Sequence, residues 1–296
     1  MDNKLSDLTI IIVTFRTNIS ILKDCLSSID PSVKVLIVEN SESFINSEEI
    51  TKNFNNVNIL CTGSNLGMGG GNNFGLEKVK TNFSLILNPD IICEKNFFQN
   101  IIQYLNDDFE YSIIGSQYLD NSIWKPAGFF SNKKNRDIKF DKSLTKVDWV
   151  VGCSMLINLK KFGNKKIFDE NFFLFFEEFD LCKRTLINRN LIYSSNKLIV
   201  KHLGFKGSFA SDAKYEIQAL KLKSWHYMWS QFYFNKKYEG IFISYIKGFA
   251  SLVKNSLKIL LNLITNNKLE TIKYKYRFLG LLNSMLTKKS SFRINF

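Results

Sequence analysis

Segment 172–184 (FFLFFEEFDLCKR) sets three carboxylates, Glu177, Glu178 and Asp180, among five phenylalanines. A carboxylate pressed against apolar bulk loses water, its pKa rises, and it becomes suited to act as a general base. Glu177 and Asp180 are three apart and share one face of a helix, whereas Glu178 points elsewhere. The same charges also suit a plain helix N-terminus, where the backbone dipole favours anions. The turn Asn88-Pro89-Asp90 follows the apolar run FSLIL. A carboxylate there can hold a divalent cation such as magnesium, which shares its oxygen ligands with substrate phosphates. Proline and aspartate are equally at home in an ordinary turn. The glycine cluster at 65–75 (NLGMGGGNNFG) lets backbone N–H groups approach a phosphate or a sugar closely. It fits neither G-x-G-x-x-G nor the phosphate loop ending in Gly-Lys-Ser/Thr, and a strand-to-helix turn has the same composition. His202 ends a strand-like run just before Gly204. A neutral imidazole there can ligate a metal or a phosphate, or serve structure alone. His226, the second of only two histidines, lies among Trp225, Tyr227, Trp229 and Tyr233 and reads as part of an aromatic helix face.

These groups need a scaffold. Short apolar, β-branched runs at 8–14 (LTIIIVT), 33–38 (VKVLIV), 57–61 (VNILC) and 83–87 (FSLIL) read as buried strands. Helical spacing fills the gaps at 19–29, with Asn18 or Ser20 as cap, at 69–79 and at 97–105. Strands of this length alternating with helices predict an α/β domain of parallel βαβ units, which bind ligands at the carboxyl ends of their strands. Those ends carry Thr14, Phe15 and Arg16; Glu39, Asn40 and Ser41; the glycines from Gly63 to Gly71; and Asn88 to Asp90. Further on, 131–142 reads as a polar surface loop and 147–157 as apolar structure. Residues 172–189 read as a loop leading into a helix, and 191–202 as one or two strands. From Lys214 the pattern is helical without strand-like alternation. A boundary near 212 separates an α/β domain, 1–212, from a helical region, 213–296.

Charge divides at nearly the same place. Residues 1–218 hold 26 Lys+Arg against 25 Asp+Glu, and residues 219–296 hold 14 against 2. The net charge of +13 therefore belongs almost wholly to the tail. Nucleic-acid binding predicts basic charge spread over the fold, which the first two-thirds lack. The five cysteines form no C-x-x-C pair and are odd in number, which fits buried thiols in a reducing compartment rather than a disulfide framework or a zinc knuckle. The first seven residues have no apolar signal core, so nothing directs export. The most hydrophobic window, 240–265, is broken by Lys247, Lys254 and Lys258 and does not suit a transmembrane span. On a helical wheel these lysines share a narrow face with Ser244, Ser251, Asn255 and Asn262, opposite a wide apolar face. That describes a helix lying in a membrane interface. The alternative is packing on the α/β domain or on a second subunit.

Seven pieces occur in order over residues 11–208: IIVTF, IVENS, NLGMGGGNNFG, LNPD, GCSMLI, FDENFFLFFEEFDLCKR and KHLGFKGS. Together they resemble family 2 glycosyltransferases, especially the rhamnosyltransferase-like branch with a GT-A (Rossmann-like) nucleotide-sugar fold. The resemblance implies that Thr14, Phe15 and Glu39 form the nucleoside pocket, with Glu39 replacing the usual Asp. It implies that Asn65, Gly67 and Asn72 belong to the loop that follows the donor. Asp90 resembles the last residue of a metal-binding D-x-D motif whose first Asp is here Asn88, so Asp90, helped by His202, would carry Mg2+ or Mn2+. Glu178 falls at the catalytic base, flanked by Glu177 and Asp180 against the acceptor or the helix backbone. The implied reaction is inverting transfer from dTDP-rhamnose or a UDP-hexose to a glycan or polyprenyl-diphosphate-linked acceptor. The implied setting is cell-surface polysaccharide biosynthesis, such as O-antigen, at the inner face of the cell membrane. The competing class is a non-catalytic binder of anionic membrane or nucleic acid through the basic tail.

Overall fold

The computed structural model describes residues 4–106, 109–119, 126–131, 142–163, 166–204, 207 and 215–294. Strand β1 is Leu8–Thr14, and all seven of its residues are buried. Its composition has no polar side to offer water, as a central parallel strand covered on both faces requires. Helix α1 (Ile19–Ser27) starts where the Asn18 side chain accepts the Ser20 N–H, the capping that satisfies an otherwise orphaned helix donor. There follow β2 (Lys34–Glu39), α2 (Ser47–Asn53), β3 (Val57–Cys61), α3 (Gly67–Leu76), β4 (Phe83–Leu87), β5 (Ile91–Cys93) and α4 (Phe97–Ile101). Next come β6 (Ile113–Tyr118), β7 (Ala127–Gly128), β8 (Leu144–Lys146), β9 (Trp149–Val150), β10 (Ser154–Asn158), α5 (Glu177–Ile187) and β11 (Ile192–His202). Three long helices close the chain: α6 (Glu216–Glu239), α7 (Ile241–Ile264) and α8 (Lys268–Met285). The loop read at 131–142 lies, apart from its two end residues, outside the described residues.

The main sheet runs β3-β2-β1-β4-β10-β6-β11-β5, with β8 also paired to β11. Its first four strands are parallel. Beyond β4 the sheet becomes mixed: β10 enters antiparallel between β4 and β6, and β5 lies antiparallel on β11, while β11 runs parallel to β6. Neither β5 nor α2 is apparent in the sequence: three residues carry no period, and SEEITKN is too polar to show an apolar stripe. The registers decide what meets at the strand ends. Thr14 pairs with Glu39, Leu87 with Ser154, Tyr118 with Val200, and Ile91 with His202. Among the cysteines, Cys61 is exposed while Cys25, Cys93, Cys153 and Cys182 are buried, and all five are free thiols.

The glycines of α3 do more than turn the chain. A Cβ on Gly71 would stand 2.8 Å from the Val13 side chain, and one on Gly75 would stand 2.9 Å from Val38 and 3.0 Å from Ile11. The helix therefore lies against β1 and β2 at a distance only glycine permits, which carries Asn72 and Asn73 into the interior.

The chain forms two compact units. One comprises Met1–Leu66, Gly70–Phe168 and Glu178–Ser211; the other comprises Gly67–Gly69, Asp169–Glu177 and Asp212–Phe296. The helical unit thus takes two short pieces from within the α/β sequence, which a single cut near 212 does not anticipate. In it, Met228, Phe232 and Leu281 form a small core with Tyr245, Leu252 and Met285 packed around them. Helices α6 and α8 approach so closely that a Cβ on Gly280 would lie 2.1 Å from the Trp225 carbonyl oxygen. His226 is buried and bonded at both nitrogens, to Ser290 Oγ at 3.0 Å and to the Phe292 carbonyl at 2.8 Å. Burial pushes its pKa down to about 3, so it is a neutral structural group. The polar stripe read on α7 is split: Ser244 and Asn255 are buried, and the lysines are not.

Within the helical unit, Gly67 has φ +78° and a Cβ there would lie 2.2 Å from the Phe173 carbonyl oxygen. Gly67→Ala combines backbone strain with overpacking and should cost about 1–3 kcal/mol. Chemical denaturation compared with wild type measures it, and an unchanged midpoint would show that the backbone there relaxes freely.

Candidate active site

The ends of β1 and β2 are tied by a buried carboxylate. Glu39 is 1% exposed. Its Oε2 accepts the Thr14 hydroxyl at 2.6 Å, and its Oε1 accepts the Ser41 hydroxyl at 2.8 Å and the Arg16 N–H at 3.3 Å. Three donors offset the cost of hiding an anion from water. The bond to Arg16 holds a residue whose φ is +51°, the left-handed region that only glycine enters without strain. Thr14 and Glu39 were read as nucleoside contacts. Here they lie sealed and bonded to each other, and what they shape directly is the turn carrying Phe15, which is half-buried, and Arg16, which is exposed.

The end of β4 carries the second carboxylate. Asp90 is 2% exposed. Its Oδ2 accepts the Gly207 N–H at 3.0 Å, while the Gly207 carbonyl accepts the Thr17 hydroxyl at 2.6 Å. A Cβ on Gly207 would stand 3.0 Å from Asp90 Oδ1, so glycine is what lets this backbone reach the carboxylate. His202 Nε2 lies 3.8 Å from Asp90 Oδ2. The two residues read as metal ligands therefore do converge. Asp90 suits a magnesium-type cation, which needs few protein oxygens when a diphosphate and water complete its shell. Among the described residues no third His, Cys, Asp or Glu joins them. His202 suits it less well: its Nδ1 accepts the Gly204 N–H at 3.1 Å. A neutral ring with Nδ1 as acceptor carries its proton on Nε2, toward Asp90. Ligation through Nε2 would require the bond to Gly204 to open.

The third carboxylate begins α5. Phe175 and Phe176, with φ +66° and +69°, are consecutive left-handed residues just before Glu177. Such strain persists only where packing holds it, and within the helical unit both rings pack on Tyr227, at 5.8 and 5.7 Å. Glu178 packs beside Gly152, where a Cβ would come within 3.2 Å of its own. Its Oε2 is shut off from water and has no hydrogen-bond partner among the described residues. Desolvation raises its pKa to about 7 against the pull of the Glu178 and Phe179 backbone N–H groups. Asp180 behaves in the opposite way. It is fully buried and accepts Arg184 Nε at 2.7 Å, while Arg184 Nη2 donates to the Ile167 carbonyl. Of the two places expected for Asp180, at the acceptor or against its own helix, the geometry matches the second: one turn into the helix, its carboxylate points inward and pairs with Arg184. Glu177 is half-buried at the first position of α5.

Two residues that the motifs do not single out link the second and third carboxylates. Tyr118, at the end of β6, shares a 3.2 Å hydrogen bond with the Cys153 thiol, and its ring meets His202 edge-on at 6.1 Å. The Cys153 carbonyl accepts the Asn88 N–H at 2.9 Å. Burial first, then Cys153, then the charges of Glu178 and Asp90 push the Tyr118 hydroxyl well up. The Cys153 thiol is pushed up to about 12, chiefly by burial, with Asp90 and Glu178 adding to it. Both groups stay neutral. The turn that carries Asp90 bonds Cys153 through Asn88, and Glu178 packs beside Gly152, so both carboxylates belong to the surroundings of Cys153. In the glycine segment Asn65 is half-buried and Asn72 is 3% exposed. Asn72 Oδ1 is buried without a partner among the described residues, a mark of an acceptor poised for something else. Its neighbour Asn73 grips the backbone of Phe168 by both N–H and carbonyl at 2.9 Å. A side-chain amide flanked by glycines carries no sequence signal that tells these two roles apart.

A parallel half-sheet extended by an antiparallel strand, with a carboxylate after its central strand, defines the GT-A class of glycosyltransferases. Structurally the chain is similar to the crystal structure of GalNAc-T7 with UDP, GalNAc and Mn2+, with a TM-score of 0.53, 12% identity, and 68% of this chain and 44% of that one covered. It is similar also to the crystal structure of S. aureus TarS, with a TM-score of 0.51, 12% identity and coverage of 73% and 39%. The Glycosyl transferase family 2 profile matches residues 9–173, and the chain belongs to that family. It is 26% identical over 199 residues to the low-salt glycan biosynthesis hexosyltransferase Agl10 of Haloferax volcanii, covering 61% of this chain and 62% of that relative. It is 25% identical over 188 residues to the rhamnosyltransferase WbbL of Escherichia coli K12, covering 55% and 70%. The chain thus spans 62% of the hexosyltransferase's length.

The raised pKa of Glu178 has a stability consequence. Between an ordinary carboxylate value near 4.5 and about 7, the folded state binds a proton that the unfolded state has released. Stability therefore falls as pH rises through that window. Glu178→Gln removes the effect and should melt higher than wild type at pH 8, with the difference vanishing near pH 4. A pH-independent difference would show that Glu178 ionises normally.

Proposed function

We propose that the chain is an inverting glycosyltransferase that moves a sugar from a nucleotide-sugar to a hydroxyl of a glycan or lipid-linked glycan in cell-surface polysaccharide biosynthesis. The single observation that carries this reading is the pair of carboxylates around Cys153 and Tyr118, buried Asp90 and half-buried Glu178. One is anchored at a strand end; the other is desolvated and titrates near neutrality. Glu178 takes the proton of the acceptor hydroxyl. The acceptor oxygen then forms its bond to the anomeric carbon on the face opposite the leaving group, and the bond from that carbon to the diphosphate oxygen breaks. A base whose pKa lies near the working pH contributes about 10²–10⁴-fold. Asp90, kept in place by Gly207, would hold a divalent cation, Mg2+ or Mn2+, and such a cation when bound offsets the negative charge of the departing nucleoside diphosphate. The turn carrying Phe15 and Arg16, shaped by Thr14 and Glu39, faces the nucleoside. Asn65, Asn72 and Asn88 line the donor side.

The names of the relatives favour a hexose or rhamnose as the transferred sugar, carried on uridine or thymidine diphosphate. We place the reaction at the inner face of the cell membrane, with a polyprenyl-diphosphate-linked oligosaccharide as acceptor. What supports this is the basic helical region, together with the fact that no helix among the described residues is long and apolar enough to cross a membrane.

A panel of dTDP- and UDP-sugars assayed for nucleoside-diphosphate release with Mg2+ or Mn2+ identifies the donor. With it, kcat should rise with pH to a plateau, with its midpoint near 7. Glu178→Gln should lower kcat about 10²–10⁴-fold with donor binding retained, and wild-type-like turnover would remove Glu178 as the base. Asp90→Ala should abolish metal-dependent donor binding in titration calorimetry. An unchanged donor affinity would separate Asp90 from the cation.

A further inference from the structure

Within the helical unit α7 packs through its small and polar side. Ser244, Gly248 and Asn255 are buried. They are small or self-satisfied: the Ser244 hydroxyl donates to the Gly240 carbonyl at 2.6 Å, and the Asn255 amide to the Ser251 carbonyl at 2.8 Å. A Cβ on Gly248 would stand 3.0 Å from the Phe232 ring and 3.1 Å from Met285 Sδ, so this side is where α7 meets its neighbouring helices closely. The opposite side carries Phe242, Ile246, Phe249, Val253, Leu257 and Leu260, all between 46% and 79% exposed. At 100° per residue these six fall within about 80° of one another, a stripe running along a helix about 36 Å long. Lys247, Lys254 and Lys258 follow along one flank of the stripe. A shallow, mostly apolar hollow is lined by Ala250, Val253, Lys254, Leu257, Lys258 and Leu261.

We infer that α7 lies in the plane of an anionic lipid surface, with this stripe inserted among acyl chains and the flanking lysines at the phosphate level. The inference deepens the membrane-facing part of the proposed function and rests on it for the setting. A continuous exposed apolar face of this extent needs a cover. The helix cannot span a bilayer, and an apolar stripe edged by lysine is the pattern of a helix that inserts in the interface. Charge selects the occupant. Residues 219–296 hold 14 Lys+Arg against 2 Asp+Glu, so a second copy would bring like charge to the same face, whereas anionic headgroups complement it. Nucleic acid would meet the lysines but leave the apolar stripe uncovered.

Flotation of the full chain with vesicles of phosphatidylcholine alone, or mixed with phosphatidylglycerol, tests this. The chain should float with the mixed vesicles and only weakly with the neutral ones. Leu257→Asp should abolish flotation while its circular-dichroism melt stays at the wild-type value. Each of Lys247→Gln, Lys254→Gln and Lys258→Gln should weaken binding to the mixed vesicles roughly fivefold. Three results would overturn the inference: no flotation of the wild type with mixed vesicles, flotation unaffected by Leu257→Asp, or a wild-type dimer in sedimentation that dissociates in Leu257→Asp without lipid binding. Nucleoside-diphosphate release, measured on the same variants without vesicles, reports on transfer separately. Retained turnover in a variant that no longer floats separates lipid contact from catalysis, and loss of turnover in every sample counts against the enzymatic reading alone.

Discussion

Three carboxylates at the strand ends and in α5 are held out of water and a fourth, Glu178, has one oxygen shut off from it; the way each is compensated organises the site. An ion without solvent must be given donors or a counter-charge, or it gives up its charge. Glu39 receives three donors from its own and a neighbouring strand end. Asp180 receives Arg184. Asp90 receives the Gly207 backbone N–H and has His202 beside it. Glu178 receives only N–H groups at its own helix start, and one of its oxygens has no partner among the described residues. This graded satisfaction separates roles that composition alone leaves equal. The fully compensated pair, Glu39 and Asp180, hold backbone and helix in place. The least compensated group exchanges a proton near neutral pH, which is the property that acid–base chemistry uses.

The place where Asp90 and Glu178 come together is created by strand order. Were β4 followed by another parallel strand, the chain after Asp90 would lead away from the sheet edge. Instead β10 returns antiparallel beside β4, so that Cys153 meets Asn88. Beyond it, β6 brings Tyr118 and β11 brings His202. Four strand ends distant in sequence thus surround one small region. β4 and β10 are buried along their whole length, so their register is fixed by how side chains fit the covers on the two faces.

The helical unit shows a different balance. Its helices approach through Gly248, Gly280 and small polar residues that bond to their own backbone, which leaves larger apolar side chains facing outward on α7. Close helix approach gains dispersion over many atoms and does not require the largest residues at the contact. A soluble helix of the same composition would turn Phe249 and Leu257 inward. That they face outward is a property of the packing, which an amphipathic wheel cannot supply.

Local pattern determined the four parallel strands of the first half of the α/β unit and the helix after β1, though not α2 or β5. Short β-branched runs read as buried strands, Asn18 was one of two caps on offer for α1, and the strand ends then carry Glu39 and Asp90. Carboxylates crowded by phenylalanine marked the segment, but only the resemblance singled out Glu178 among the three. The antiparallel return of β10, the splitting of the helical unit's sequence into three pieces and the outward face of α7 were decided by tertiary packing. So were the assignments of Asp180 to Arg184, of Glu39 to Thr14 and of His202's ring nitrogen to Gly204. Glu39 depends on a partner 25 residues away, while Asp180 and His202 have partners close in sequence that only the packing selects. Sequence states which groups are charged or apolar; only the fold states which of them are left without water, and which without a partner.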